Sequence, residues 1–224
     1  MDKNMNRNLS ITGTGSATGG VFNKVKIVGE GKISGGIECQ YLRCVGTSEI
    51  IGSVKAETLS VQGVADIRGQ LAVQSAKVYG ETKVDGSITG NAVELRGNTI
   101  VKGNCEAEQL SLDGQFAIDG LLNGGTVKLR IHDECRAAEI GGGTIRVGKL
   151  GKLTFLRMMF KTPASPRLTA DTIEGDDIYL EHTHADIVRG NRVTIGPGCQ
   201  IKTVEYKTEY NQHKHAKVIH QIKI

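Results

Sequence analysis

Few residues in this sequence are spaced for chemistry, and each must be weighed against a plainer role. His182 and His184 stand two apart, which on a strand would put both rings on one side and offer a metal ion two nitrogens. No third ligand follows at a tetrahedral-site spacing, so a solvated corner accounts for them better than a metal. Asp176-Asp177 has the look of a general acid and base pair. Stacking against Asn191 and Arg192 explains both carboxylates without catalysis. Five cysteines, an odd number with no C-x-x-C pair, suit neither a disulfide framework nor a common zinc site. The expectation is a chain with no catalytic residues, no cofactor and no metal.

The elements that position these residues follow from a repeat. Glycines recur every 17 residues at Gly29, Gly46, Gly63, Gly80, Gly97 and Gly114, and a second set runs in step at Gly35, Gly52, Gly69, Gly86, Gly103 and Gly120. Apolar columns keep the same period, the clearest being Ile33, Ile50, Ile67, Val84, Val101 and Ile118. Cys44 and Cys105 fall in other inward columns and Cys39 in a column of small residues, so they read as small buried hydrophobes. Alternation such as Leu42-Arg43-Cys44 marks a strand with one buried face, and glycine corners supply the turns. One unit cannot bury its apolar side alone, but stacked units share a continuous shaft. The fold class expected is an all-β, right-handed, three-sided β-helix with about 17 residues per coil, the handedness resting on the general crossover preference.

Charge gives a separate check, because stacked coils place residue i about 4.8 Å from residue i+17. Arg68, Asp85, Lys102 and Asp119 alternate in sign down one column, as do Arg96, Asp113 and Arg130 down another. Lys32 sits over Glu49 and Asp66 over Lys83, while Glu49 beside Asp66 is an exception.

The repeat divides the chain. Residues 1–14 read as a flexible N-terminal segment and 15–148 as the main β-helix, its last coil looser but keeping Ile145 and Val147 inward. Residues 149–167, KLGKLTFLRMMFKTPASPR, break the pattern as a connecting insert. There Phe155, Leu156, Met158, Met159, Phe160 and Lys161 form the candidate contact with a membrane or partner; a helix drawn through them is poorly amphipathic, and a plug over the solenoid is the competing role. A short coil block follows at 168–206 with a step of 15, pairing Glu174 with Arg189 and Asp177 with Arg192, before a basic tail at 207–224 that ends in an alternation of Val218, Ile222 and Ile224.

Composition excludes several classes. No apolar run reaches the ~18 residues of a spanning helix and no secretory signal opens the chain, so a cytoplasmic protein is expected. A net charge of +4 with only 4% aromatics is a weak footprint for nucleic-acid binding. The segment VTIGPGCQI, residues 193–201, carries the rhythm of hexapeptide acyltransferase coils at Ile195 and Ile201, which makes such a transferase the alternative function.

The motifs I-x-G-x-[IVL], as in Ile67-Arg-Gly69-Gln-Leu71, and [LV]-x-[VL]-x-G, as in Leu59-Ser-Val61-Gln-Gly63, resemble those of the bactofilins, bacterial polymer-forming cytoskeletal proteins. The resemblance covers residues 15–148 closely and is strongest to the type from motile Gram-positive rods with an added coil block. It implies a β-helix that polymerises end to end without nucleotide, often at the inner face of the cell membrane, and scaffolds shape, division or motility machinery. Its N-terminal membrane stretch has no counterpart in MDKNMNRNLS, although Met159-Phe160-Lys161 has similar chemistry internally. Independently of the resemblance, a solenoid's last coil leaves strand edges and core cross-section open to another copy. Val21, Val25 and Ile27 are the expected polymerisation end, with the second coil block covering the other end and a head-to-head dimer as the smaller assembly. The partners expected are other copies of the chain, protein clients of unknown identity and a peripheral membrane contact.

Overall fold

The computed structural model describes residues 7–149 and 166–224, and among these there is no helix. Ten strands follow in order: β1 (Asn8–Ile51), β2 (Val54–Ile67), β3 (Leu71–Val84), β4 (Ile88–Val101), β5 (Cys105–Ile131), β6 (Glu134–Lys149), β7 (Arg167–Leu180), β8 (Thr183–Ile195), β9 (Gln200–Gln212) and β10 (Lys217–Lys223). Each pairs with the next in one continuous sheet. All the pairings are parallel. The fold is the expected β-solenoid: from β1 to β5 the register is 17 residues, Gly46 facing Gly63, Gly63 facing Gly80 and Gly80 facing Gly97.

Each coil has three sides, every one a buried, outward, buried triplet. In one coil these are Val54-Lys55-Ala56, Leu59-Ser60-Val61 and Ala65-Asp66-Ile67. The column Ile33, Ile50, Ile67, Val84, Val101 and Ile118 is at most 1% exposed throughout, so the aliphatic ladder does fill the shaft. The corner glycines are required sterically as well as conformationally. Gly80 has φ 135°, and a Cβ there would lie 2.0 Å from the carbonyl oxygen of Gly63 one rung below.

The coil block at 168–206 continues the same ladder. β6 pairs with β7 from Glu134 opposite Arg167 to Val147 opposite Leu180, and β7 pairs with β8 at the expected step of 15, Gly175 facing Gly190. Two boundaries differ from expectation. Strand β1 already begins at Asn8, because Leu9, Ile11 and Gly13 repeat the chemistry of Val25, Ile27 and Gly29 at a step of 16, one residue short of the main period. At the other end residues 207–212 belong to β9, and β10 pairs with β9 from Lys217 opposite Gln200 to Lys223 opposite Tyr206. The basic tail therefore forms a final rung.

Candidate functional site

Most of the residues that could do chemistry are buried or ion-paired. All five cysteines are free and buried. Burial, with a smaller push from Glu106, raises the Cys105 thiol to about 12, and burial raises Cys39 and Cys199 to about 11. Cys44 and Cys135 are also raised by burial, and the Cys135 thiol donates to the Gly114 carbonyl at 3.3 Å. Thiols shifted this way are poor nucleophiles at neutral pH.

His182 is a corner residue with φ 48°, the one non-glycine residue in the left-handed region among those described. Its Nε2 is buried without a hydrogen-bond partner. His184 is the outward residue of the next side, with its pKa lowered by burial and by nearby Arg167. The corner between them breaks the strand geometry that would have aligned the two rings. No group of three or more His, Cys, Asp or Glu among the described residues is arranged to hold a metal ion. Asp176 accepts from the Asn191 amide at 2.7 Å, and Asp177 bridges Arg146 at 2.9 Å and Arg192 at 3.0 Å. Those two guanidinium groups hold the Asp177 carboxyl below its ordinary range.

The ends differ from the expected polymerisation contact. Val25 and Ile27 are fully buried, because the extra first rung lays Leu9 and Ile11 over them; Val21 remains 37% exposed. The first described rung thus carries the open edge, with the Arg7 guanidinium 5.6 Å from the Phe22 ring centre. At the opposite end the outer edge of β10 pairs with no strand among the described residues, and Ile219, Ile222 and Ile224 are 69%, 46% and 55% exposed. The inward columns turn polar there: Val193 is followed by Tyr210, Ile195 by Gln212 and Val204 by Gln221. Tyr206 and Tyr210 stack with centroids 5.2 Å apart. The candidate contact at Phe155, Leu156, Met158, Met159, Phe160 and Lys161 lies outside the described residues.

Along its length the rod presents two distinct surfaces. One corner is concave, with cavities of about 920, 660 and 280 Å³ following one another from Glu38 to Lys207. Its floor is the column Cys39, Ala56, Val73, Gly90 and Ala107, which continues as Gly124, Gly142, Gly175 and Gly190. A Cβ at Gly175 would sit 2.3 Å from the Gly142 carbonyl oxygen, so close rung stacking accounts for those glycines.

The other surface is the side containing residues 41–45 and their counterparts in the rungs from 24–28 to 144–148. Over these eight rungs it carries eight cations and two carboxylates, a balance of +6; its continuation at 177–181, 192–196 and 209–213 adds one cation and three carboxylates, which leaves +4 in all. The side of 47–51, from 30–34 to 134–138, has five cations against seven carboxylates, or −2. The side of 36–40, through 139–143, has one against five, or −4. Both carboxylates of the first eight rungs are already occupied, Glu94 by Lys77 at 3.9 Å and Arg96 at 2.5 Å, and Asp113 by Arg130 at 3.4 Å. Sequence reading found single charge columns but missed this balance, which appears only when columns are assigned to sides.

The vertical ion pairs are largely as the columns suggested. Lys32 meets Glu49 at 3.0 Å, Lys102 meets Asp85 at 2.8 Å, and Arg189 meets Glu174 at 3.2 Å. Arg68 instead reaches Glu49 at 2.7 Å, and Asp66 faces Lys83 without an ion pair.

No protein-family model matches the chain, and no solved structure does. Two Bacillus subtilis (strain 168) proteins are similar over nearly its whole length. One, described as uncharacterized protein YhbF, is 52% identical over 97% of this chain and 97% of its own length. The other, described as uncharacterized protein YhbE, is 55% identical over 90% of this chain and 92% of its own.

Proposed function

The chain belongs to the family of Bacillus subtilis YhbF and YhbE, and from that premise and its two open ends we propose that it is a self-assembling scaffold that polymerises through its β-solenoid ends without nucleotide. The observation that carries this is the pair of terminal strand edges without a strand partner among the described residues, each beside apolar side chains: Leu9 and Ile11 at one end, Ile219, Ile222 and Ile224 at the other. A rung edge of this kind is completed most directly by another copy, which supplies a parallel strand ladder of the same kind. The motif resemblance to bactofilins supports the same reading, with a cytoplasmic location and a role in organising envelope, shape or motility machinery through protein clients.

Negative-stain microscopy of the purified chain tests it, with Ile11→Lys and Ile222→Lys as variants of the two ends. Filaments in the parent and dispersed or dimeric particles in at least one variant are expected. A parent that stays monomeric at concentrations up to about 1 mg/ml contradicts the proposal. A hexapeptide-type transferase is the alternative, decided by calorimetry with acyl-CoA, and it has less support: none of the three cavities along the concave corner is lined by a histidine.

A further inference from the structure

We propose that the basic side of the rod lies flat against an anionic lipid bilayer. The inference rests on the charge map and is independent of end-to-end assembly. The +6 balance of those eight rungs sits beside −2 and −4 on the neighbouring sides, so the molecule has a direction across its width as well as along its axis. Lys24, Lys26, Arg43 and Lys128 form no ion pair among the described residues. Three of them cluster: Lys24 and Lys26 share one rung, and Arg43 stands on the next beside Tyr41, which is 51% exposed. Val28 and Val45, half-buried, edge the same patch.

This chemistry fits a bilayer better than a nucleic acid. Parallel rungs about 4.8 Å apart make a flat strip, with no ridge to enter a groove and no cleft to wrap a strand. The cations are unevenly spaced, three close together and the next unpaired one many rungs away. Mobile headgroups adapt to uneven spacing, whereas a duplex presents phosphates at fixed intervals. Tyrosine and partly exposed valine beside lysine and arginine match the polar-apolar boundary of a lipid surface. Each basic residue near such a surface contributes about fivefold in binding, and the whole attraction is strongly screened once the Debye length falls to ~3 Å near 1 M salt.

Co-sedimentation of the full chain with vesicles of phosphatidylcholine containing 30% phosphatidylglycerol, against pure phosphatidylcholine, tests the proposal. Binding to the anionic vesicles alone is expected, and 1 M sodium chloride should release it. The triple variant Lys24→Ser, Lys26→Ser, Arg43→Ser should weaken binding at least about tenfold. The matched triple Lys83→Ser, Lys102→Ser, Arg136→Ser, on the −2 side, should stay within about twofold. Lys24→Arg, Lys26→Arg, Arg43→Lys should bind like the parent, which separates charge from any structural role of these side chains. Residues 150–165 are unchanged in every variant.

Absent binding to the anionic vesicles overturns the proposal, as does equal loss in both serine triples. Undiminished binding in the first triple also overturns it, and assigns the contact elsewhere on the chain. Tighter binding to a 20-base-pair DNA duplex, lost in the same triple, overturns it in favour of nucleic acid. Microscopy of the first triple separates this result from the assembly proposal, because filaments should persist when vesicle binding is lost.

Discussion

The coils of β2 to β4 and those of β7 and β8 build the same shaft with different corners. In the first block three residues bridge Val61 to Ala65 and three bridge Ile67 to Leu71. In the second, only Glu181 and His182 bridge Leu180 to Thr183, and only Asp171 and Thr172 bridge Ala170 to Ile173. One residue lost at each of two corners turns a period of 17 into 15 while the inward columns stay in line. The corner glycine goes with the lost residue. Gly63 at φ 130° and Gly80 at φ 135° serve the longer corner, and His182 at φ 48° takes the shorter one. The side length of a solenoid is therefore fixed by the core ladder, and its period by the corners.

If the shaft is common to both blocks, Ile67→Ala and Ile173→Ala should each cost about 2–5 kcal/mol, measured by urea unfolding, since both side chains are fully buried. A much smaller loss in one block would show that the shaft is not uniform. The glycine corners should separate by rung contact. Gly80→Ala meets a carbonyl oxygen at 2.0 Å and should cost about 3 kcal/mol or more, whereas Gly13→Ala, with φ 79° and nothing within 4 Å of its Cβ, should cost only about 1 kcal/mol. At the short corner, His182→Gly should be more stable than His182→Ala by about 1 kcal/mol, because both remove the ring and only glycine relieves the backbone. Equal thermal midpoints for the two variants would remove His182 from the explanation.

The smallest effect expected concerns Asp177, which clamps three successive rungs through Arg146 and Arg192. Its folded pKa is lowered, first by those hydrogen bonds, so its stabilisation is complete above the ordinary aspartate value near 3.9 and disappears as pH falls through the folded value. Asp177→Asn should lower the urea midpoint slightly but measurably at pH 7 and converge with the parent in stronger acid. A gap that persists in acid would mean the variant disturbs packing instead.

The period was legible because Gly63 and Gly80 face each other at the same step as their apolar neighbours, so steric need and core pattern coincide in the sequence. The step of 15 was legible for the same reason at Gly175 and Gly190. The first rung was missed because one fewer residue between Ile11 and Ile27 takes it out of phase, although its local alternation is intact. Arg68 went to Glu49 because a long side chain reaches a neighbouring rung on either side, which a column reading does not decide. The charge map of the three sides required knowing where each corner falls.

Sewing each coil only to the ones immediately above and below gives this rod an uneven response to force. A pull spread along one side strains a whole ladder of amide contacts at once. The same pull applied to a terminal strand peels it away one contact after another, so whatever grips this molecule holds most firmly along its flank.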